Sequence, residues 1–209
     1  MKRRLLLALA LSAGLTVPTW AQSNALEQLT AFQREVQSGR VNFTQVVVSP
    51  DGKKRRSTQG SFEFLRPNRF RFDYQPPEAQ TLIGDGKKVW LIDPELMQAS
   101  SRPMSQVVSA TPVAILAGTS LGEAFVLKAE PEVNGVAWVA ATPKQADAGI
   151  QRLRIGLKGK LLAAMEIVDG LGQKSTLTFG PLEVNVPLAA ERFQFVPSKG
   201  MDVVDGGAP

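Results

Sequence analysis

The sequence predicts a mainly β domain, a strongly curved antiparallel sheet or barrel with helices over its open side or mouth. Three observations point there. About ten β-branched or aromatic segments alternate with Gly, Asn and Asp turn signals between Val41 and Phe179. Only two stretches, Asn24–Ser38 and Thr111–Gly118, read convincingly as helices. None of the 209 residues is a cysteine, so the core rather than disulfides must hold the fold.

Residues 1–21 stand apart. Lys2, Arg3 and Arg4 precede an apolar run, Leu5–Ala13, and Thr19-Trp20-Ala21 offers a small-residue cleavage site. The run is too short for a membrane span, which predicts a cleaved signal peptide and a single exported domain over 22–209. Removing Lys2, Arg3 and Arg4 lowers the formal charge from +5 to +2, so the basic balance gives no reason to expect nucleic acid. Without cysteine no lipid anchor is expected at the new N-terminus. Without histidine, Ser-His-Asp and Cys-His catalysis and histidine metal sites are excluded.

In chain order, Asn24 offers an N-cap with Glu27 in the first turn, and Leu26, Leu29, Phe32 and Val36 form one apolar stripe. Gly39 is read as the stop of this helix. The period then becomes two. Val41–Ser49 turns at Pro50-Asp51-Gly52 into a strand from Arg55, and Lys53–Arg56 put a basic tip on the hairpin. Such a tip is a solvated loop or a docking patch for an acidic partner.

The stretch Gly60–Asp93 is read as strands reversed at Arg66-Pro67-Asn68, broken at Pro76-Pro77, and turned again at Gly84-Asp85-Gly86. Phe62, Phe64 and Arg66 share one parity; Phe70, Phe72 and Tyr74 share another. If the two faces coincide, five aromatics and an arginine look inward together. A buried guanidinium needs acceptors, either carboxylates or the unpaired carbonyls of a helix C-terminus, unless Arg66 reaches back to solvent beside Pro67.

A short strand at Met97–Arg102 leads to Pro103–Ser109, read as a helical turn. In Thr111–Gly118 a capping Thr111, Pro112 at the first position and the closing Gly118 enclose Val113, Ala114, Ile115, Leu116 and Ala117, with no polar side. Such a helix must be covered or must itself cover something apolar. Strands follow at Phe125–Ala129, Val136–Thr142, Ile150–Lys158, Lys160–Val168 and Ser175–Phe179, with turns at Asn134-Gly135, Asp147–Gly149, Lys158-Gly159-Lys160 and Asp169–Gly172. Phe193–Val196 is read as a last strand and Gly200–Pro209 as a loose tail.

Catalytic readings fare poorly. Glu63 and Asp73 fall on the outward parity expected of a solvated face, and Gly84-Asp85-Gly86 lacks the helix that a phosphate loop requires. No enzyme, metal or cofactor is indicated. The interior is either filled by side chains or keeps a cavity for an apolar ligand, and counting aromatics does not separate the two.

From Phe43-Thr44-Gln45 through Gly60, Arg66-Pro67-Asn68-Arg69-Phe70-Arg71-Phe72, Pro77, Leu82-Ile83, Asp85-Gly86-Lys87 and Trp90, the chain resembles the LolA family of periplasmic lipoprotein carriers. Thr111-Pro112, Asp169–Gln173, Phe193-Gln194-Phe195-Val196-Pro197 and Gly200 extend the resemblance over nearly all of 22–209. It implies an unclosed β-barrel under a lid of short α-helices. The lid would contain Leu26, Leu29, Phe32, Val36, Val113, Ile115 and Leu116, and Arg66 would latch it. Phe43, Phe62, Phe64, Phe70, Phe72, Tyr74 and Trp90 would line an acyl-chain cavity. The implied partners are outer-membrane lipoproteins, an inner-membrane ABC releasing complex and an outer-membrane receptor, served by a monomer that needs no cofactor. Two other readings compete: a periplasmic lipid-binding sensor of the same half-barrel fold, which would carry a further domain, and a lipid esterase.

Overall fold

The computed structural model describes residues 25–104, 114–118, 121–145 and 149–206. Outside the described residues lie the signal segment, the Asn24 cap, most of Pro103–Ser109, Thr111–Val113 and part of the Asp147–Gly149 turn.

Helix α1 (Ala25–Glu35) buries Ala25, Leu29 and Phe32, and Val36 continues the stripe just past its end. Strands β1 (Ser38–Val48), β2 (Arg55–Leu65), β3 (Arg69–Tyr74), β4 (Thr81–Asp85), β5 (Lys88–Asp93) and β6 (Gln98–Pro103) form an antiparallel meander. Two short helices follow, α2 (Ala114–Ala117) and α3 (Leu121–Ala124). A second meander comprises β7 (Phe125–Val133), β8 (Val136–Pro143), β9 (Ile150–Lys158), β10 (Leu161–Asp169) and β11 (Lys174–Phe179).

Pairing of β11 with β1, Phe179 opposite Phe43, joins the two meanders into one sheet. The end strands are not neighbours, so the sheet stays unclosed. One core unites Phe62 and Phe72 from the first meander with Val139, Leu153 and Ile155 from the second. Only a strongly curved sheet brings those faces together.

The chain's last part departs from the sequence reading. After β12 (Glu183–Val184), which pairs with the start of β1, Ala190–Phe193 is a 3-10 turn and not a strand. The expected loose tail instead forms β13 (Asp202–Asp205), paired parallel to β6. Both differences arise on the outer face of the sheet. There Phe193 is fully buried, Phe195 lies 4.8 Å from the Trp90 ring, and Met201 packs on Ile83, Ile92 and Ala99.

Two glycines read as turn or stop signals lie inside strands. Gly39 is in β1 opposite Phe64, where a Cβ would come within 2.7 Å of the Phe64 ring. Gly84 is in β4 opposite Phe70, where a Cβ would lie 2.3 Å from the ring. Each is there to let an aromatic ring lie flat on the backbone. The β4–β5 turn sits one step later, at Gly86-Lys87.

Candidate functional site: an aromatic wall and the arginine above it

Pairing places Phe62 opposite Phe72 and Phe64 opposite Phe70, so the two aromatic rows do share the inner face. The Phe62 and Phe72 rings stack at 4.2 Å, and Phe43 packs 5.4 Å from both Phe72 and Tyr74. Phe43, Phe62, Phe64, Phe70 and Phe72 are at most 3% exposed. Tyr74 is half-buried at the margin, and burial pushes its hydroxyl pKa up, with Arg56 pulling weakly the other way. The opposite wall is aliphatic: Val139, Leu153, Ile155, Met165 and Leu177. Among the described residues both walls belong to one continuous core.

Trp90 does not join this wall. The register sets Trp90 opposite Ile83 and Ile83 opposite Arg71, the outward row, which puts the indole against Phe195 on the far side of the sheet. Asp85 accepts from the amides of Lys87 and Lys88 and from the indole, so it fixes the turn.

Two helical pieces cover the wall. Helix α1 packs on β7–β10, with Leu29 and Phe32 buried, Leu26 partly so, and Phe32 edge-on to Phe64 at 6.1 Å. Helix α2 packs on β2 and β3, and Leu116 and Ala117 are buried. Val113 lies outside the described residues, as does the side chain of Ile115.

Arg66, at the end of β2, stands between the two pieces and is 7% exposed. Its Nε donates to the Val36 carbonyl just past α1 (2.9 Å), and a terminal nitrogen donates to the Gly118 carbonyl just past α2. The backbone reinforces both ends: the Arg66 amide donates to Gln37 O (2.8 Å) and the Asn68 amide to Ala117 O (3.0 Å). Of the two partner classes that suit a buried guanidinium, it has taken helix-end carbonyls. The rings of Phe32 and Phe64 flank it at 5.5 and 5.4 Å, a cation–π sleeve. Burial pulls its pKa down to about 10, so it stays charged at neutral pH. Nη2 is buried and finds no acceptor among the described residues.

Glu63 and Asp73, read as solvated, differ from each other. Asp73 is half-buried between Arg71 and Thr81. Glu63 is 5% exposed, covered by the C-terminal segment, and holds Arg40 and Arg192. Sequence reasoning also missed Asn185, whose side chain reaches the end of α1. A single asparagine in a loop carries no periodic signal.

The sequence matches the family described as outer membrane lipoprotein carrier protein LolA over residues 34–196. Similar curated proteins, each named outer-membrane lipoprotein carrier protein, include one from Methylibium petroleiphilum, 49% identical over 95% of this chain and 96% of its own. Another, from Leptothrix cholodnii, is 48% identical over 88% of this chain and 87% of its own, and one from Neisseria meningitidis is 40% identical over 88% of each. Among solved structures, a LolA superfamily protein of Nitrosomonas europaea shares the fold at TM-score 0.50 and 12% identity, covering 82% of this chain and 96% of that one. An uncharacterized protein of Thermus thermophilus does so at 0.53 and 13%, covering 87% and 96%. The chain belongs to the LolA family of outer-membrane lipoprotein carrier proteins.

Proposed function

We propose that this protein works in the periplasm, after cleavage near Ala21, by holding lipoprotein acyl chains against its inner wall. It receives them from an inner-membrane ABC releasing complex and yields them to an outer-membrane receptor. Arg66 is the latch of the empty state. One observation carries this reading: a single buried guanidinium ties the ends of both lid pieces above five buried phenylalanines.

The physics requires two states. A buried CH₂ is worth roughly 0.8 kcal/mol, so a long acyl chain contributes on the order of 10 kcal/mol, and free lipoprotein in water is negligible. A permanently open, rigid cavity would hold such a chain and never release it. A closed state with its own contacts competes with the cargo and makes handover feasible. Here the competing contacts are the stacked rings and the Arg66 bonds, each charge-assisted bond contributing about 1.5–3 kcal/mol.

Arg66→Leu tests the latch. Leucine suits the sleeve between Phe32 and Phe64, so folding is retained, while both lid ends lose their side-chain donor and keep only the backbone bonds. The variant is expected to bind a fluorescent acyl probe about tenfold more tightly or better, and to deliver lipoprotein to outer membranes more slowly. If it loads and delivers like the parent, Arg66 is not the latch.

A further inference from the structure

We propose that Asn185 is a positioning residue for the Arg66 latch, holding the α1–β1 junction from outside the sheet while Arg66 grips it from inside. The junction is the two-residue link Val36-Gln37, which leads into Ser38 at the start of β1. On one side Arg66 takes the Val36 carbonyl through Nε and the Gln37 carbonyl through its amide. On the other, Asn185 Oδ1 accepts from the Gln37 amide at 2.8 Å, and its Nδ2 donates to the Glu35 carbonyl at 3.0 Å. The Asn185 amide donates to Ser38 O at 2.7 Å, and Ser38 Oγ donates to Val186 O at 2.6 Å. Gln37 Nε2 closes the set by donating to Arg34 O at 2.8 Å. The carbonyls of residues 34 to 38, from the last turn of α1 into the first residue of β1, are thus all taken.

The chemistry singles out an amide side chain. Asn185 must accept from a backbone N–H and donate to a backbone carbonyl at once. Aspartate cannot donate, and neither serine nor alanine presents both groups at that spacing. Its φ of 54° also lies where asparagine is tolerated better than most residues. The residue is anchored in turn. Glu183 and Val184 pair with Arg40 and Gly39, and Leu182 packs on Gly39 and the core. Further along, Arg192 grips Glu63 through two hydrogen bonds of 2.7 and 3.0 Å, and Phe193 is fully buried. The outer strap therefore fixes where Val36 presents its carbonyl, and Arg66 closes on a target that Asn185 holds still. Its purpose rests on the carrier reading above; its geometry does not.

The discriminating reporter is the Asn68 amide. It bonds Ala117 O on the other lid piece and shares no hydrogen-bond partner with Asn185 among the described residues. Hydrogen exchange at that amide is to be followed in the parent, Asn185→Gly, which keeps the left-handed backbone, Asn185→Asp, which keeps only the acceptor, Arg66→Leu, and the Asn185→Gly/Arg66→Leu double variant. Affinity for a fluorescent hexadecanoyl probe is to be measured in the same set. Both Asn185 variants should speed Asn68 exchange, Asn185→Gly by about fivefold to tenfold, and tighten the probe by a similar factor. The double variant should go no further than Arg66→Leu alone, because there is no latch left to position.

Parent-like Asn68 exchange in both Asn185 variants overturns the assignment. So does a change of equal size with and without Arg66, which marks an ordinary helix cap. If no variant binds the probe while the exchange coupling holds, the carrier reading fails and the positioning role stands.

Discussion

Glu63 sits on the strand parity that alternation sends to solvent, yet it is among the least exposed charged residues described. Each carboxylate oxygen is used: Oε1 accepts from Arg40 and Arg192, and Oε2 from Arg192. The partners remain nearly half exposed, so they regain water if the carboxylate is lost. Breaking a fully buried pair costs about 3–5 kcal/mol, and Glu63→Ala is expected to cost less, roughly 1.5–3 kcal/mol, read as a lower urea midpoint. Glu63→Gln, which keeps the shape and one acceptor, should lose about half of that. Side-chain parity is legible in sequence, and it put Arg66, Phe62 and Phe64 together correctly. What covers a face is not legible. Trp90 was assigned to the cavity by the resemblance alone, and the strand register instead puts it on the outer row, opposite Ile83 and against Phe195.

At the scale of elements, β7, β9 and β10 carry an ion lattice on their outer side. Glu130 accepts from Arg152 (2.9 Å) and Arg154 (2.6 Å), and Arg154 also reaches Glu166 (2.9 Å) while lying 4.3 Å over the Trp138 ring. Burial works to raise the Glu130 pKa, but the hydrogen bonds and charges of Arg154 and Arg152 together outweigh it and hold the carboxyl below its ordinary 4.5. A carboxyl with a depressed folded pKa stabilises the fold above its unfolded value and loses that contribution as pH falls through the folded one. Thermal stability should therefore decline on acidification below about pH 4.5, and Glu130→Gln should flatten that decline; an unchanged profile would remove Glu130 from the account. The strands bearing this lattice were legible because hairpins alternate over their full length. The strap from Glu183 to Asp205 was not. Its 3-10 turn and parallel β13 are set by contacts with Glu63, Trp90, Ile83 and Met97 far back in the chain, and a parallel edge strand has no hairpin signal to announce it.

For the whole molecule, the decisive feature among the described residues is that α1 lies on the inner face of the curved sheet, with Leu29, Phe32 and Val36 buried in the same core as the stacked phenylalanines. Cargo must displace what is there. Exposing Leu29, Phe32 and Val36 costs about 2 kcal/mol each, roughly 6 in all, and releasing the Arg66 bonds adds a few more. One long acyl chain returns on the order of 10 kcal/mol. The two sides nearly balance, which a carrier needs: an imbalance either way would give a protein that never loads or never delivers. A ligand ordinarily slows hydrogen exchange throughout its host, but this balance predicts an inversion. Loading with a peptide that carries one long acyl chain should slow exchange at the inner-strand amides of Phe62, Phe72 and Leu153 and speed it in residues 25–35. If α1 becomes as protected as the sheet, the chains bind beneath an unmoved helix or elsewhere, and the displacement account fails. If the helix alone loosens and the inner strands do not respond, the acyl chains never reach the aromatic wall.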